Sequence, residues 1–269
     1  MKTLFLILLL NISIFAQTFS FGAISTVDKS IMKKKLTPLI AYISKTINHP
    51  LKFKTGFDYS STIEKFKNGD YDFGFIGPAP FIIANNNSKK TLQIIVGLNT
   101  TTNGYFHSAI IVKKGSNIKS IEDLKGKSFA FGSPKSTLSY FMPMYLLKKN
   151  NLDTKLSNIV FLGKHDRVAK YVIMGKADAG GIKESVAKKY SKYITIIAKT
   201  QDVPDFVVVA SANVPKEIVE KVRVALLKPE AQKLAKFIKP SATGFIKRTV
   251  KDYSNLKKIM LHVNPNSLK

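Results

Sequence analysis

The sequence has no cysteine, no tryptophan, only 4 histidines in 269 residues, and 17 acidic side chains against 43 basic ones. Each shortage removes a class of answer. Without cysteine there are no disulfides, and no lipid-bearing cysteine to tether an exported chain to a membrane. His49, His107, His165 and His262 are scattered, and none has metal-ligand spacing with another. There is no G-x-S-x-G elbow, no H-E-x-x-H and no P-loop. An enzyme is therefore not expected, and no metal or cofactor is implied.

Arginine is scarce too. Only Arg167, Arg223 and Arg248 occur, so 43 minus 3 leaves 40 lysines behind the net charge of +26. Base and phosphate recognition in nucleic acids favours the planar arginine fork, and these lysines are spread along the chain, so no nucleic-acid partner is expected. They read as a solvated lysine-rich surface, although the surplus can draw anions toward a cleft. Long apolar runs are absent apart from "TLFLILLLNISIFA", which follows Met1 and Lys2 and ends at Ala16. It is too short to span a bilayer with comfort, and Asn11 and Ser13 interrupt it. Residues 1–16 are expected to be a secretory signal peptide and the mature protein a soluble periplasmic one, not lipid-anchored; a retained anchor is the alternative.

The remaining composition, 45% hydrophobic and 22% charged, supports one large core or two medium ones. Segments alternate in character. "FSFGAIS" reads as a strand, and Met32, Leu36, Leu39, Ile40, Ile43 and Ile47 recur at helical spacing, with Pro38 either interrupting that helix or marking its first turn. "LKFKTGF" is a second strand, followed by a helix capped by Ser61 with Glu64 and by the strand "YDFGFIG". A second α/β series follows. "HSAIIVKKGS" and "KSFAFGS" are strands around a short helix capped by Ser120 with Asp123 and closed by Gly126. Next come a helix through "MYLLKKN", the strand "NIVFLG", the helix "RVAKYVIMGK" and the strand "ADAGGI". "DFVVVAS" and the helix "VPKEIVEKVRVALL" close the series, with Pro215 near N1 and Ile218, Val222 and Leu226 on one face. The order predicts parallel sheets flanked by helices in two lobes with a cleft between them.

In parallel sheets a ligand site lies at the carboxyl ends of strands, where helix N-termini converge. "FGSPKSTLSYFMP" stands at such a point and gathers Ser133, Ser136, Thr137 and Ser139. Ser136, Thr137 and Ser139, with nearby backbone amides, could surround an oxyanion; alternatively Ser136 caps the following helix and the other hydroxyls face water. Pro143 costs about 3 kcal/mol inside that helix unless the helix starts later or bends there.

The run "SIEDLKGKSFAFGSPKSTLSYFMP", together with "GKHDRVAKYVIMGKADAGGIKESV", "NGDYDFGFIGPAPFI" and "VPDFVVVASANVPKEIVEKVRVALL", resembles the phosphate/phosphite/phosphonate-binding proteins of ABC importers. These form the phosphonate-binding family of periplasmic solute-binding proteins. The likeness covers nearly the whole mature chain, including the closing "SATGFIKRTVKDYSNL". It implies an α/β, two-lobed periplasmic binding protein (type II) fold, each lobe a mainly parallel sheet flanked by helices and hinged by two crossover strands. Lobe 1 would comprise residues 17–108 and 201–269, and lobe 2 residues 109–200. The implied function is capture of a small phosphorus oxyanion between the lobes and delivery, as a monomer, to an inner-membrane permease. A periplasmic sensor of the same fold, or a binder of a sulfonate or vitamin precursor, is the alternative.

The resemblance also implies roles for residues. Ser136, Thr137 and Ser139 would donate to the phosphorus oxygens, although the family's Ser-Thr-Ser-Gly reads Ser-Thr-Leu-Ser here, with Leu138 third. His165 and Asp166 match a His-Asp pair facing the cleft; Asp166 alone reads as an N-cap and His165 as a donor to an anion. Tyr59, Pro80 and Phe81 would form the facing wall, with Phe81 equally suited to the core. Ser25 and Thr26 end the first strand as ligand hydroxyls or turn residues, and Tyr105 lies near the hinge. Lys183 and Glu184 follow "ADAGG" at a strand end facing the cleft, where a carboxylate could read a cationic ligand group; exposure is the alternative.

Overall fold

The six apolar residues spaced along the first amphipathic segment are the buried face of helix α1 (Lys29–Ile47). Pro38 lies inside this helix. A proline there forfeits a hydrogen bond at about 3 kcal/mol, but burying a single Leu or Ile side chain contributes about 1.5–3 kcal/mol. Six such side chains outweigh one lost bond, so α1 neither starts nor breaks at Pro38. The computed structural model describes residues 17–24, 28–86 and 91–268. The expected signal segment and the candidate site residues Ser25 and Thr26 lie outside the described residues.

Strand β1 (Phe19–Ala23) precedes α1, and β2 (Leu51–Lys54), α2 (Tyr59–Asn68), β3 (Phe73–Ile76), α3 (Pro78–Asn85) and β4 (Gln93–Thr100) follow. Asp58, not Ser61, caps α2. Its carboxylate accepts the Ser61 N–H at 2.8 Å and the Ser61 hydroxyl accepts the Asp58 N–H at 3.0 Å, a reciprocal box one turn upstream of the expected one. The chain then runs through β5 (Tyr105–Phe106), β6 (Ser108–Lys113), β7 (Ser128–Phe131), α4 (Met142–Lys149), β8 (Asn158–Phe161), α5 (His165–Ile173), β9 (Ala179–Lys183), α6 (Glu184–Lys189) and β10 (Ile194–Lys199). It returns by β11 (Val203–Pro204) and β12 (Val207–Ala210). The last elements are α7 (Lys216–Leu227), α8 (Pro229–Gln232), α9 (Leu234–Ile238), β13 (Ala242–Ile246) and α10 (Ser254–Val263).

One sheet has the order β13-β4-β12-β3-β1-β2 and the other β10-β6-β9-β7-β8. β1 pairs parallel with β2 and β3, and β7 with β8 and β9. β12 and β13 run against their neighbours in the first sheet, and β6 runs against β9 and β10 in the second. Both sheets are therefore mixed, with most strands pointing one way. The chain crosses between them twice, through β5 and β11, which pair antiparallel. This is the two-lobed α/β architecture. Each sheet buries one face against its own apolar cluster, while a third cluster is shared, with Phe81, Tyr253 and Ile259 joined to Phe141, Met142 and Leu147.

Pro143 is accommodated locally. Thr137–Phe141 form a π-turn, and α4 begins only at Met142, so Pro143 falls in its first turn where its missing N–H is least costly. The Ser139 carbonyl then accepts the Gly132 N–H at 3.2 Å. The short 3-10 turn Glu122–Leu124 has Ile121, not Ser120, at its N-cap and no side-chain cap; the Asp123 carboxylate instead accepts the Lys119 and Ser120 amides that lead into it.

Candidate functional site

Four strands end around one small cavity. β3 leads into Gly77 and Pro80, β7 into Ser136, Thr137 and Leu138, β8 into His165 and Asp166, and β9 ends at Lys183; all these residues line a space of about 70 Å³ between the sheets. Tyr59, Phe106, Val186 and Phe206 complete the lining. A single water needs about 10–15 Å³ measured this way, and drug-sized ligands occupy pockets of about 300–1,000 Å³. The cavity thus suits a ligand of a few heavy atoms.

The hydroxyl-rich turn divides its labour. Ser136 is 3% exposed, and its Oγ accepts the Ser139 N–H at 3.2 Å, so it caps the turn while lining the cavity beside the Tyr59 phenol. Thr137 Oγ1 accepts the Ala79 N–H at 2.9 Å from the opposite lobe, which leaves its own proton to donate. The Thr137 and Leu138 amides open the helical turn and have no acceptor within it. Ser139 is different. Fully buried, its Oγ donates to the Gly181 carbonyl at 2.5 Å and accepts the Gly132 N–H at 2.8 Å. That hydroxyl has no proton left for a ligand and does not line the cavity, so Ser139 clips the turn to β9 instead of joining the site.

His165 opens α5, and its Nδ1 accepts the Lys183 N–H at 3.0 Å. The ring proton is therefore on Nε2. Burial pushes the imidazolium pKa down to about 3, the Lys183 charge adds to this, and Asp166 opposes it. His165 is accordingly a neutral donor at pH 7. Burial pushes the Tyr59 phenol up to about 12, with the Ser136 hydroxyl pulling the other way, so this group also keeps its proton. Asp166 lies in the first turn of α5 but is not the N-cap, which is Lys164. Its carboxylate takes Lys189 Nζ at 2.6 Å and the Tyr190 hydroxyl at 2.8 Å. Burial opposes ionisation of Asp166, but these two donors prevail and hold its pKa below the ordinary carboxylate value.

Two further candidates fall outside the cavity. Phe81 is 1% exposed and packs against the Tyr253 ring at 5.4 Å, in the core. Tyr105 lies on β5 under the Arg248 guanidinium, 4.6 Å from its ring centre, and lines a groove on the hinge side. Pro80 does line the cavity. Phe206, stacked on Phe75 at 4.9 Å, supplies the aromatic wall expected of Phe81. Phe206 and Phe106 were not singled out from sequence; Phe206 directly precedes the apolar run of β12, and only the crossing of the strands brings it to the cleft. Lys183 lines both the cavity and the hinge-side groove, whereas Glu184 lines only the groove and pairs with Lys188, Lys199 and His107. Among the described residues, no group of three or more His, Asp or Glu is arranged to hold a metal ion, and no helix is long and apolar enough to cross a membrane.

Comparison with known proteins identifies the family and the fold. The family model described as ABC transporter, phosphonate, periplasmic substrate-binding protein matches residues 21–253. The phosphate-import protein PhnD of Mycolicibacterium smegmatis is 27% identical over 176 residues, which are 62% of this chain and 55% of that protein. The probable ABC transporter phosphite binding protein PhnD1 of Prochlorococcus marinus is 27% identical over 174 residues, 61% of this chain and 58% of that one. The matched stretch spans just over half the length of both relatives. The solved structure of Prochlorococcus marinus PhnD1 in complex with methylphosphonate superposes with a TM-score of 0.79 at 23% identity, covering 92% of this chain and 98% of that one. The chain belongs to the periplasmic substrate-binding proteins of phosphonate ABC transporters.

Proposed function

We propose that the protein captures a small phosphorus oxyanion (phosphate, phosphite or a short phosphonate) in this cavity and delivers it to the permease of an ABC importer. The observation that carries the reading is the turn at Ser136 and Thr137. Its hydroxyls and free amides meet the Tyr59 phenol from the other lobe around a space sized for one tetrahedral ion, and the Ala79 N–H, spent on Thr137 Oγ1, leaves the Thr137 proton free to donate. The neutral polar side chains of the lining, Tyr59, Ser136, Thr137 and His165, can each donate a proton, which suits an acceptor-only ligand. His165 has its Nδ1 occupied by a backbone amide, so it is not a base activating a neighbouring hydroxyl; the site binds and does not catalyse.

Export by residues 1–16 and action as a soluble monomer complete the proposal. Residues 17–108 and 201–269 form one lobe and 109–200 the other, closing about β5 and β11. Mass spectrometry of ligand carried through native purification tests it. A phosphorus oxyanion at close to one per chain is expected; a sulfonate or an organic ligand without phosphorus in its place would overturn the assignment.

A further inference from the structure

Near the cavity, negative charge is already committed. Asp166 is held by Lys189 and Tyr190. Asp205, 2% exposed, pairs with Lys239 at 2.6 Å, and Glu184 pairs with Lys199 at 2.7 Å and Lys188 at 3.2 Å. Lys183 stands among them as a lining residue of the cavity whose ammonium has no ion pair or side-chain hydrogen bond among the described residues. Its place is well determined, since it ends β9 in register with Ser108 and its backbone N–H fixes the His165 ring. A lysine charge taken from water is costly unless it is paired, and the carboxylate acting on it, Asp205, is in contact with Lys239 instead, so the protein retains here a charge without a contacting partner among the described residues.

Building on the oxyanion reading of this cavity, we propose that Lys183 sets the charge class of the ligand. Its ammonium takes up the charge of a fully ionised tetrahedral oxyanion and rejects phosphorus compounds that carry an ammonium of their own. Two features support both halves. The lobe-2 wall offers neutral donors from Ser136, Thr137 and His165 but only this one cation without a carboxylate in contact. A ligand ammonium entering the cavity meets Lys183 while Asp166, the sole acidic residue of the lining, is taken by Lys189 and Tyr190. Of the two residues at this strand end, Lys183 lines the cavity and Glu184, read from sequence either as a reader of a cationic ligand group or as exposed, lines only the groove.

Calorimetric titration of the parent protein, Lys183→Met and Lys183→Arg with methylphosphonate tests the first half. Lys183→Met is expected to weaken binding by roughly 10- to 100-fold, the loss of one charged hydrogen bond, and Lys183→Arg to retain most of the affinity. Thermal melts without ligand add a readout that a structural lysine would move the other way: Lys183→Met should melt no lower than the parent. Should Lys183→Met fail to fold, Lys183→Gln carries the same comparison. For the second half, the parent is titrated with ethylphosphonate and aminomethylphosphonate, which have the same number of heavy atoms. Ethylphosphonate is expected to bind at least about 10-fold more tightly, one like-charge contact. Undiminished methylphosphonate binding by Lys183→Met, or aminomethylphosphonate bound as tightly as its isostere, would overturn the inference. A parent that binds no phosphorus oxyanion at all removes the oxyanion reading itself, and the inference with it.

Discussion

The two walls of the cavity are built from opposite materials. From the first lobe come Gly77, Pro80 and Phe206 with the Tyr59 phenol, on a helix start where Pro78 and Pro80 have no N–H and the Ala79 amide is already given to Thr137. The second lobe contributes the Ser136 and Thr137 hydroxyls, two unpaired amides, the His165 imidazole and the Lys183 ammonium. Donors are concentrated on one side and apolar surface on the other. On the proposed reading this is a division of roles, in which lobe 2 would recognise the ion and lobe 1 would close over it, excluding water and so strengthening each hydrogen bond made on the far wall.

The comparison breaks most visibly within the hydroxyl turn. If lobe 2 recognises the ion, Ser136→Ala and Thr137→Ala should each weaken oxyanion binding by roughly 10- to 150-fold, since a hydrogen bond to a charged group contributes about 1.5–3 kcal/mol. Ser139→Ala separates clip from contact. It leaves the buried Gly132 N–H and Gly181 carbonyl without this partner. That change should lower stability by about 1–3 kcal/mol, visible as a melting point several degrees lower. Its effect on affinity in the remaining folded protein should be well below that of Thr137→Ala. Calorimetry and thermal melts on the same three variants check both; a Ser139→Ala protein that loses binding as severely as Thr137→Ala at unchanged stability would erase the distinction.

How much of this was legible beforehand follows from what each feature depends on. The face of α1 was readable because helical spacing alone selects its six buried residues. The place of Ser136 and Thr137 at the cavity was readable because a strand followed by a hydroxyl-rich turn is a local signal. Ser139 was not separable from them: whether its Oγ faces the cavity or β9 depends on the π-turn, a register set by Pro143 and by the Gly181 carbonyl arriving from 42 residues away. Phe81 and Phe206 exchanged roles for a similar reason, because α3 turns Phe81 toward Tyr253 while the crossover delivers Phe206 to the cleft. Lys183 and Glu184 were legible together as a strand end facing the cleft, but not which of the two lines the cavity, because that depends on the carboxylate's partners Lys188, Lys199 and His107.

A smaller effect sharpens the contrast between the walls. Burial holds the Lys183 pKa down to about 8, with Asp205 opposing and Lys239 and Lys35 adding to the depression. Of the other titrating groups on the cavity, His165 lies near 3, Asp166 is lowered and Tyr59 is near 12, so their charges stay fixed across the alkaline range. An anion favours the ammonium form and raises this pKa toward its ordinary 10.5. Binding should then take up a proton between these values, and affinity should fall as pH rises through about 8. Calorimetry in buffers of different ionisation enthalpy reads the proton uptake. Lys183→Met should abolish it, and an unchanged uptake in that variant would assign the effect to the ligand.

The most direct test of the central claim is a calorimetric titration of the ligand-free parent protein with phosphate, phosphite and methylphosphonate beside sulfate and an alkyl sulfonate. One-to-one binding of at least one phosphorus oxyanion, tighter than either sulfur anion, is the predicted result. Equal or tighter binding of the sulfur anions, or no heat with any phosphorus oxyanion, would contradict it.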